Sequence, residues 1–257
     1  MSVLPKKSLG QHFLVDENIL GVIGRLADLH PEDVVLEVGP GLGILTCYLA
    51  DRIRLVHAIE LDRSLEQPLT EALSGRANVR LVFGDALAFD LAALDPPPGK
   101  LVANLPYNIA TPLVVESLEG VPSLERWCVM VQRELSDRFF ASPRTKAYGA
   151  VSVLVQLRAR KVGFRPVAPT VFRPRPRVES ALVAFVRLPG PPLGEVRPVV
   201  EAAFAHRRKT LANSVALFGL ATRARAEDAL SAIGKSTGVR AEELAPEEFV
   251  ALANVLT

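Results

Sequence analysis

At 257 residues, with 49% hydrophobic and 23% charged residues, the chain can form one large domain, or a domain with a smaller appendage, and its composition excludes a disordered protein. No apolar run approaches the roughly 18 residues of a membrane span, and the segment Met1–Gly10, which carries Lys6 and Lys7, lacks the apolar stretch of a secretory signal, so a cytoplasmic protein is expected. The net charge of +2 says little, but from Ser142 to Ser180 nine Lys or Arg stand against one acid, Glu179, whereas from Asp51 to Asp95 eight Asp or Glu outnumber five Arg.

A basic second half suits a polyanion such as nucleic acid, and an ordinary solvated surface is the competing reading. Cys47 and Cys128 lie far apart in apolar segments without metal-type spacing, which fits buried filler in a reducing compartment and no metal site.

Along the chain, Val34–Val38, Leu55–Ile59, Val79–Phe83, Lys100–Ala103 and Cys128–Val131 are short aliphatic runs. Leu42–Asp51 and Arg63–Ser74 fall between them with helical spacing. Apolar strands alternating with helices predict an α/β fold, a parallel sheet covered on both faces. Asp95–Gly99 contains three prolines and reads as a loop. Gly149–Leu157 fits helix or strand equally, and Ser180–Arg187 reads as a strand. The Pro- and Gly-rich stretch Leu188–Gly194 is the clearest linker, and helical patterns follow at Val196–Phe218 and Arg223–Ile233. The expected division is an α/β domain over 1–187 and a small helical domain over 188–257.

The first strand runs into Gly39-Pro40-Gly41-Leu42-Gly43, a turn whose glycines let backbone approach a ligand. Such a turn also serves dinucleotide-binding enzymes. Glu60 ends the second strand, where a carboxylate accepts hydrogen bonds from both hydroxyls of an adenosine ribose. Asp85, after the third strand, is placed for the adenine amine, or else simply forms a turn beside Gly84. The most specific element is Asn104-Leu105-Pro106-Tyr107, directly after the fourth strand.

Adenine N6 is a poor nucleophile because its lone pair is delocalised into the ring. The Asn104 amide oxygen and the Leu105 carbonyl can accept both amino hydrogens and so favour a pyramidal nitrogen. Pro106 stiffens the turn, and Tyr107 offers a face on which a flipped or single-stranded base can stack. An Asx-type turn with a packed tyrosine is the bland alternative.

These residues carry a family resemblance. The chain resembles the KsgA/Dim-type small-subunit ribosomal RNA adenine dimethyltransferases. The likeness runs through Lys7–Leu14, Glu37–Gly43, Ile59–Asp62, Gly84–Ala86, Asn104–Pro112, Lys146–Gly149, Phe172–Ala181 and Arg207–Leu211. It implies a Rossmann-like seven-stranded S-adenosylmethionine-dependent methyltransferase domain over 1–187, followed by a small helical RNA-binding domain over 188–257. His12 and Leu14 would line the cofactor pocket with Gly39, Glu60, Asp85 and Asn104, although many relatives carry Asn where this chain has His12. Gly149–Leu157 would be helical, with a strand near Arg160–Val167.

Phe172, in the loop that borders the target base in this family type, would either stack on the adenine or sit in the core. Arg173, Arg175 and Arg177 alternate with prolines and would share an exposed edge suited to phosphates. Arg207, Arg208 and Lys209 are expected on a helix whose buried stripe includes Phe204 and Leu211, facing RNA.

The reaction implied is in-line transfer of the sulfonium methyl of S-adenosylmethionine to N6, twice on each of two adjacent adenines. It needs neither metal nor covalent intermediate, and the substrate is a hairpin loop of 16S rRNA in a small-subunit precursor. A monomer is expected. The rivals are a large-subunit macrolide-resistance methyltransferase, disfavoured by Arg207–Leu211 and Asn104–Pro112, and a dinucleotide-dependent oxidoreductase, which leaves Asn104–Tyr107 without a purpose. A non-catalytic role in ribosome assembly or transcription is compatible with either outcome.

Overall fold

The computed structural model describes residues 5–6 and 11–256, and the Lys7–Gly10 part of the resemblance lies outside the described residues. The chain divides into two compact units, Met1–Ser136 with Arg160–Arg187, and Asp137–Ala159 with Leu188–Thr257. Residues 137–159 therefore belong with the helical unit, not with the α/β unit as expected from sequence. The Pro- and Gly-rich linker is one crossing point, but no compositional break marks the other two.

The first unit opens with a two-residue strand, β1 (Phe13–Leu14), and helix α1 (Glu17–Ala27). The Asp16 carboxylate caps α1 by accepting from the Asn18 N–H at 2.8 Å. Alternating strands and helices follow: β2 (Val34–Val38), α2 (Ile44–Ala50), β3 (Leu55–Glu60), α3 (Glu66–Ala72), β4 (Val79–Phe83), β5 (Lys100–Asn104), α4 (Ala110–Gly120) and β6 (Arg126–Gln132). Helix α5 (Arg133–Phe139) runs across the division, and α6 (Ala150–Gln156) lies in the second unit. The chain then returns as β7 (Ala159–Val167), β8 (Phe172–Arg173) and β9 (Ser180–Arg187). Gly149–Leu157 is thus helical, as the resemblance implied.

Seven strands form one sheet in the order β4-β3-β2-β5-β6-β9-β7. The pairs from β4 to β6 are parallel, and β9 runs antiparallel to β6, with Arg126 opposite Val186 and Gln132 opposite Ser180. All five residues of β2 are buried, because this strand has neighbours on both sides and helices on both faces. The edge strand β4 instead alternates half-buried and exposed residues. A core cluster including Leu20, Ile23, Leu49, Val56, Val102 and Met130 packs one face of the sheet against α1 and α2. Since β2 is flanked by β3 on one side and β5 on the other, the chain order reverses there. In open α/β sheets a crevice forms at the strand ends beside such a reversal.

The second unit also contains α7 (Leu193–Phe204), α8 (Leu211–Phe218), α9 (Arg223–Ala232) and α10 (Pro246–Leu256). Tyr148, Phe204 and Phe249 meet in its interior, with ring centroids 5.9 and 5.7 Å apart. The buried Tyr148 hydroxyl donates to the Leu244 carbonyl at 2.8 Å. The Val196–Phe218 pattern is not one helix: residues 205–210 form a turn between α7 and α8. Apolar spacing alone did not reveal the break, since Phe204 and Leu211 face the interior from either side of it.

Candidate active site

A cavity of about 260 Å³ opens at the carboxyl ends of β2, β3 and β5. Its lining combines the N-terminal segment (His12, Leu14), the glycine turn (Gly39, Gly41), the end of β3 (Glu60), Asp85, and the turn after β5 from Asn104 to Tyr107. Gly39, Glu60 and Asn104 are brought together because parallel strands place their carboxyl ends on one edge, and the N-terminal segment adds His12 and Leu14.

Two glycines make the wall possible. Gly39 and Gly41 adopt φ of +76° and +60°, a region that L side chains rarely enter. A Cβ at Gly41 would come within 3.0 Å of the Phe13 ring, and one at Gly39 within 3.2 Å of Pro106. Gly41 donates its N–H to Glu60 Oε2 at 3.0 Å, and Asp62 donates its N–H to Glu60 Oε1 at 2.8 Å. The Glu60 carboxyl is thereby oriented before any ligand arrives. Burial raises its pKa, the backbone donors of Asp62 and Gly41 partly reverse this, and the Asp62 charge adds to it.

Asp62 holds the N-terminal segment beside the cavity. Its carboxylate accepts from Lys6 Nζ at 2.6 Å, Gln11 Nε2 at 2.8 Å and Ser64 Oγ at 2.6 Å. Burial opposes ionisation, but the hydrogen bonds from Lys6, Ser64 and Gln11 outweigh it and hold the carboxyl well below the usual range. Next along the segment, His12 Nδ1 lies 2.8 Å from the Pro174 carbonyl. A carbonyl only accepts, so this nitrogen carries a proton and donates it to the bond. The His12 ring stands 5.7 Å from that of Tyr107.

Asn104 Nδ2 donates to the His12 carbonyl at 3.1 Å, which fixes the amide orientation and leaves Oδ1 as its acceptor. The Leu105 N–H is held by the Met130 carbonyl at 3.0 Å, whereas the Pro106 carbonyl receives the Ile109 and Ala110 N–H groups that start α4. The Tyr107 hydroxyl shares a 2.7 Å hydrogen bond with Ser180 Oγ, anchoring one end of a ring whose body lines the cavity. Burial raises the phenol pKa and the Ser180 bond partly offsets this. Asp85 is exposed at the rim, and its Oδ1 accepts from the Leu87 N–H at 2.9 Å, so it does form a turn while also lining the cavity.

The remaining residues fall elsewhere. Phe172 is 2% exposed and packs in the core with Leu14 and Ile19, so it presents no face to a base, and of its two readings the core one stands. Arg173, Arg175 and Arg177 are all exposed. Arg207, Arg208 and Lys209 are exposed too, but in the turn between α7 and α8 and not on a helix. Arg207 Nη2 donates to the Tyr148 carbonyl at 2.9 Å and the Lys146 carbonyl at 3.3 Å, so one of the three cations is engaged in holding its own unit together.

Sequence reasoning missed two residues of the site, Asp62 and Glu37. Glu37 lines the same cavity at 1% exposure, and its Oε2 has no hydrogen-bond partner among the described residues. Its signal was legible: an acid inside a five-residue, otherwise aliphatic strand is a rare occurrence that asks for a reason.

The donor set suits a cationic adenosine derivative, with a pre-oriented carboxylate for the ribose, a second buried carboxyl facing the cavity, and bare backbone at the glycine turn. Fold and site together are those of the S-adenosylmethionine-dependent methyltransferases. The profile of the ribosomal RNA adenine dimethylases matches residues 4–257, and the chain belongs to that family. It is an enzyme, a methyltransferase with S-adenosylmethionine as its cofactor.

Among curated proteins, the ribosomal RNA small subunit methyltransferase A of Rubrobacter xylanophilus is 51% identical over 96% of this chain and 94% of its own. The protein of the same name from Kineococcus radiotolerans is 46% identical over 98% and 86%. Among solved structures, a dimethyladenosine transferase from Plasmodium falciparum shares the fold, with a TM-score of 0.78 at 23% identity over 94% and 96% of the two chains. The 23S rRNA methyltransferase ErmE superposes with a TM-score of 0.65 at 31% identity over 95% and 99%. No helix among the described residues is long and apolar enough to cross a membrane.

Proposed function

We propose that this enzyme dimethylates N6 of two adjacent adenines in a hairpin loop near the 3′ end of 16S rRNA, acting on a small-subunit precursor as a cytoplasmic monomer. The observation that carries this reading is the Asn104–Tyr107 turn opening onto the same cavity as Gly39, Gly41 and Glu60. Curated relatives named for the small subunit reach 51% identity, against 31% for the 23S enzyme, which favours the small-subunit substrate.

In this reading Glu60 holds the ribose hydroxyls, Asp85 meets the adenine amine of the cofactor at the rim, and Gly39, Leu14 and His12 close around it. When bound, S-adenosylmethionine supplies a methyl group on a good leaving group. Asn104 Oδ1 and the Leu105 carbonyl accept the two hydrogens of the target N6, aiming its lone pair into the cavity. The hydrogen bond from Asn104 to the His12 carbonyl keeps that acceptor pointed, so little reorganisation is needed at the moment of transfer. Tyr107, anchored through Ser180, stacks on the base, and solvent takes the proton once N6 becomes cationic. Arg208 and Lys209, with the Arg173–Arg177 edge, contact phosphates.

The test is methylation of naked 16S rRNA and of small-subunit particles with labelled cofactor, followed by mapping of the product. Dimethyladenosine at two neighbouring positions near the 3′ end is the expected result. Label in 23S rRNA alone overturns the assignment.

A further inference from the structure

Glu37 has no task in the chemistry described above. It lies in the middle of the sheet on β2, 1% exposed, lining the cofactor cavity with Oε2 unpaired. A carboxyl in that position costs stability when ionised, unless a positive charge comes to it. The groups acting on it are Glu60 from β3, itself beside Asp62, and from α2 the Thr46 hydroxyl and the Cys47 thiol. None of these is a cation, and Thr46 Oγ stands close without hydrogen-bonding geometry. No cation among the described residues acts on it, and S-adenosylmethionine carries two positive charges, on its sulfonium and its ammonium.

We propose that Glu37 couples cofactor binding to proton release: it is a neutral acid in the free enzyme, gives up its proton as the cationic cofactor enters, and takes one back when the site empties. Burial, with the Glu60 charge added and the Thr46 hydroxyl opposing, pushes its pKa up to about 8 in the free protein. A single positive charge about 6 Å from a carboxyl, at an effective dielectric of about 20, favours the ionised form roughly a hundredfold. The ionised fraction therefore inverts near neutral pH on binding. Cofactor affinity rises by up to about tenfold per pH unit between about pH 6 and 8, and is level on either side of that window.

The inference rests on the cofactor occupying this cavity. That reading fails if Glu60→Ala leaves cofactor binding untouched. If Glu60→Ala weakens binding but Glu37 exchanges no proton, only the coupling fails.

The experiment is calorimetric titration of the full-length enzyme with S-adenosylmethionine in buffers of different ionisation enthalpy at pH 7, below the ordinary range of the cofactor's own amine. Most of one proton released per cofactor is expected for the wild type, and close to none for Glu37→Gln, whose affinity stays level from pH 6 to 7.5. Equal release by the two proteins assigns the proton to Glu60 and overturns the proposal, as does no release at all.

Infrared difference spectra of the wild-type enzyme give an independent reading that requires no Glu37 variant to fold. Cofactor addition removes a protonated-carboxyl band, and Glu60→Gln keeps that loss. An unchanged band in the wild type overturns the proposal.

Discussion

Replacing Glu60 by alanine removes a carboxylate that serves two neighbours at once. In the free protein it accepts the Gly41 N–H at 3.0 Å and the Asp62 N–H at 2.8 Å while 5% exposed. Loss of the ribose contacts is expected to weaken S-adenosylmethionine by about 2–3 kcal/mol, or about 30- to 150-fold, the scale of hydrogen bonds to a charged group. The two orphaned N–H groups add a separate cost to folding of about 1–3 kcal/mol each where water does not replace the carboxylate. Titration calorimetry measures the first quantity and thermal unfolding of the free protein the second. Glu60→Gln, which keeps one acceptor oxygen, is expected to fall between wild type and alanine in both. A Glu60→Ala protein that melts early but binds cofactor with wild-type affinity would refute the ribose assignment and leave Glu60 a strut of the glycine turn.

Tyr107→Ala is expected to reduce both methylations in single-turnover assays with cofactor affinity nearly intact. Tyr107→Phe, which loses only the Ser180 bond, is expected to lose about 1 kcal/mol of stability and retain most activity. Equal activity of the two variants removes the stacking role. Neutralising Arg208 and Lys209 together is expected to make the slope of log affinity for RNA against log salt shallower by about 1.4–1.8, from two phosphate contacts, whereas Arg207→Ala is expected to lower the melting temperature of the protein through the Lys146 and Tyr148 carbonyls it releases. An unchanged salt slope in the double variant makes that turn a merely solvated surface.

Glu37 also predicts a pH dependence of folding. Its pKa is raised in the folded state from 4.5 to about 8, so stability is full below about pH 4.5 and is lost as the pH rises toward 8. Glu37→Gln is expected to abolish that loss, gaining at most about 5 kcal/mol over wild type by pH 8. Denaturant titrations at pH 5 and 8 that show the same gap between the two proteins exclude the effect.

The sheet was legible in the sequence because its central strands are buried on both faces, and runs such as Val34–Val38 leave no other reading. The cavity was legible where the chemistry demands unusual residues, in the glycine turn and in Asn104–Tyr107. What escaped depends on partners distant in the chain. β1 and β8 are two residues long and exist only because they meet each other. Asp62 is one acid among many until Lys6, Gln11 and Ser64 converge on it. Phe172 keeps two readings in sequence, against a base or in the core, and only its strand pairing with Leu14 decides for the core. Arg207 resembles its neighbours in sequence, and only the carbonyls of Lys146 and Tyr148 set it apart.

The pairing of β1 with β8 constrains how this chain can vary. Phe13 lies opposite Arg173 and Leu14 opposite Phe172, and the chain continues from each side into a further bond, His12 to Pro174 and Val15 to Val171. A strand slipped by one residue turns its side chains to the opposite face. One inserted or deleted residue on either side would therefore expel Phe172 from the core, or withdraw Leu14 and His12 from the cavity. Segments about 160 positions apart thus have their lengths locked together. Within 12–15 and 171–174, neither strand can gain or lose a residue without a matching change in the other, whereas the arginine edge beyond Pro174 lies outside that constraint.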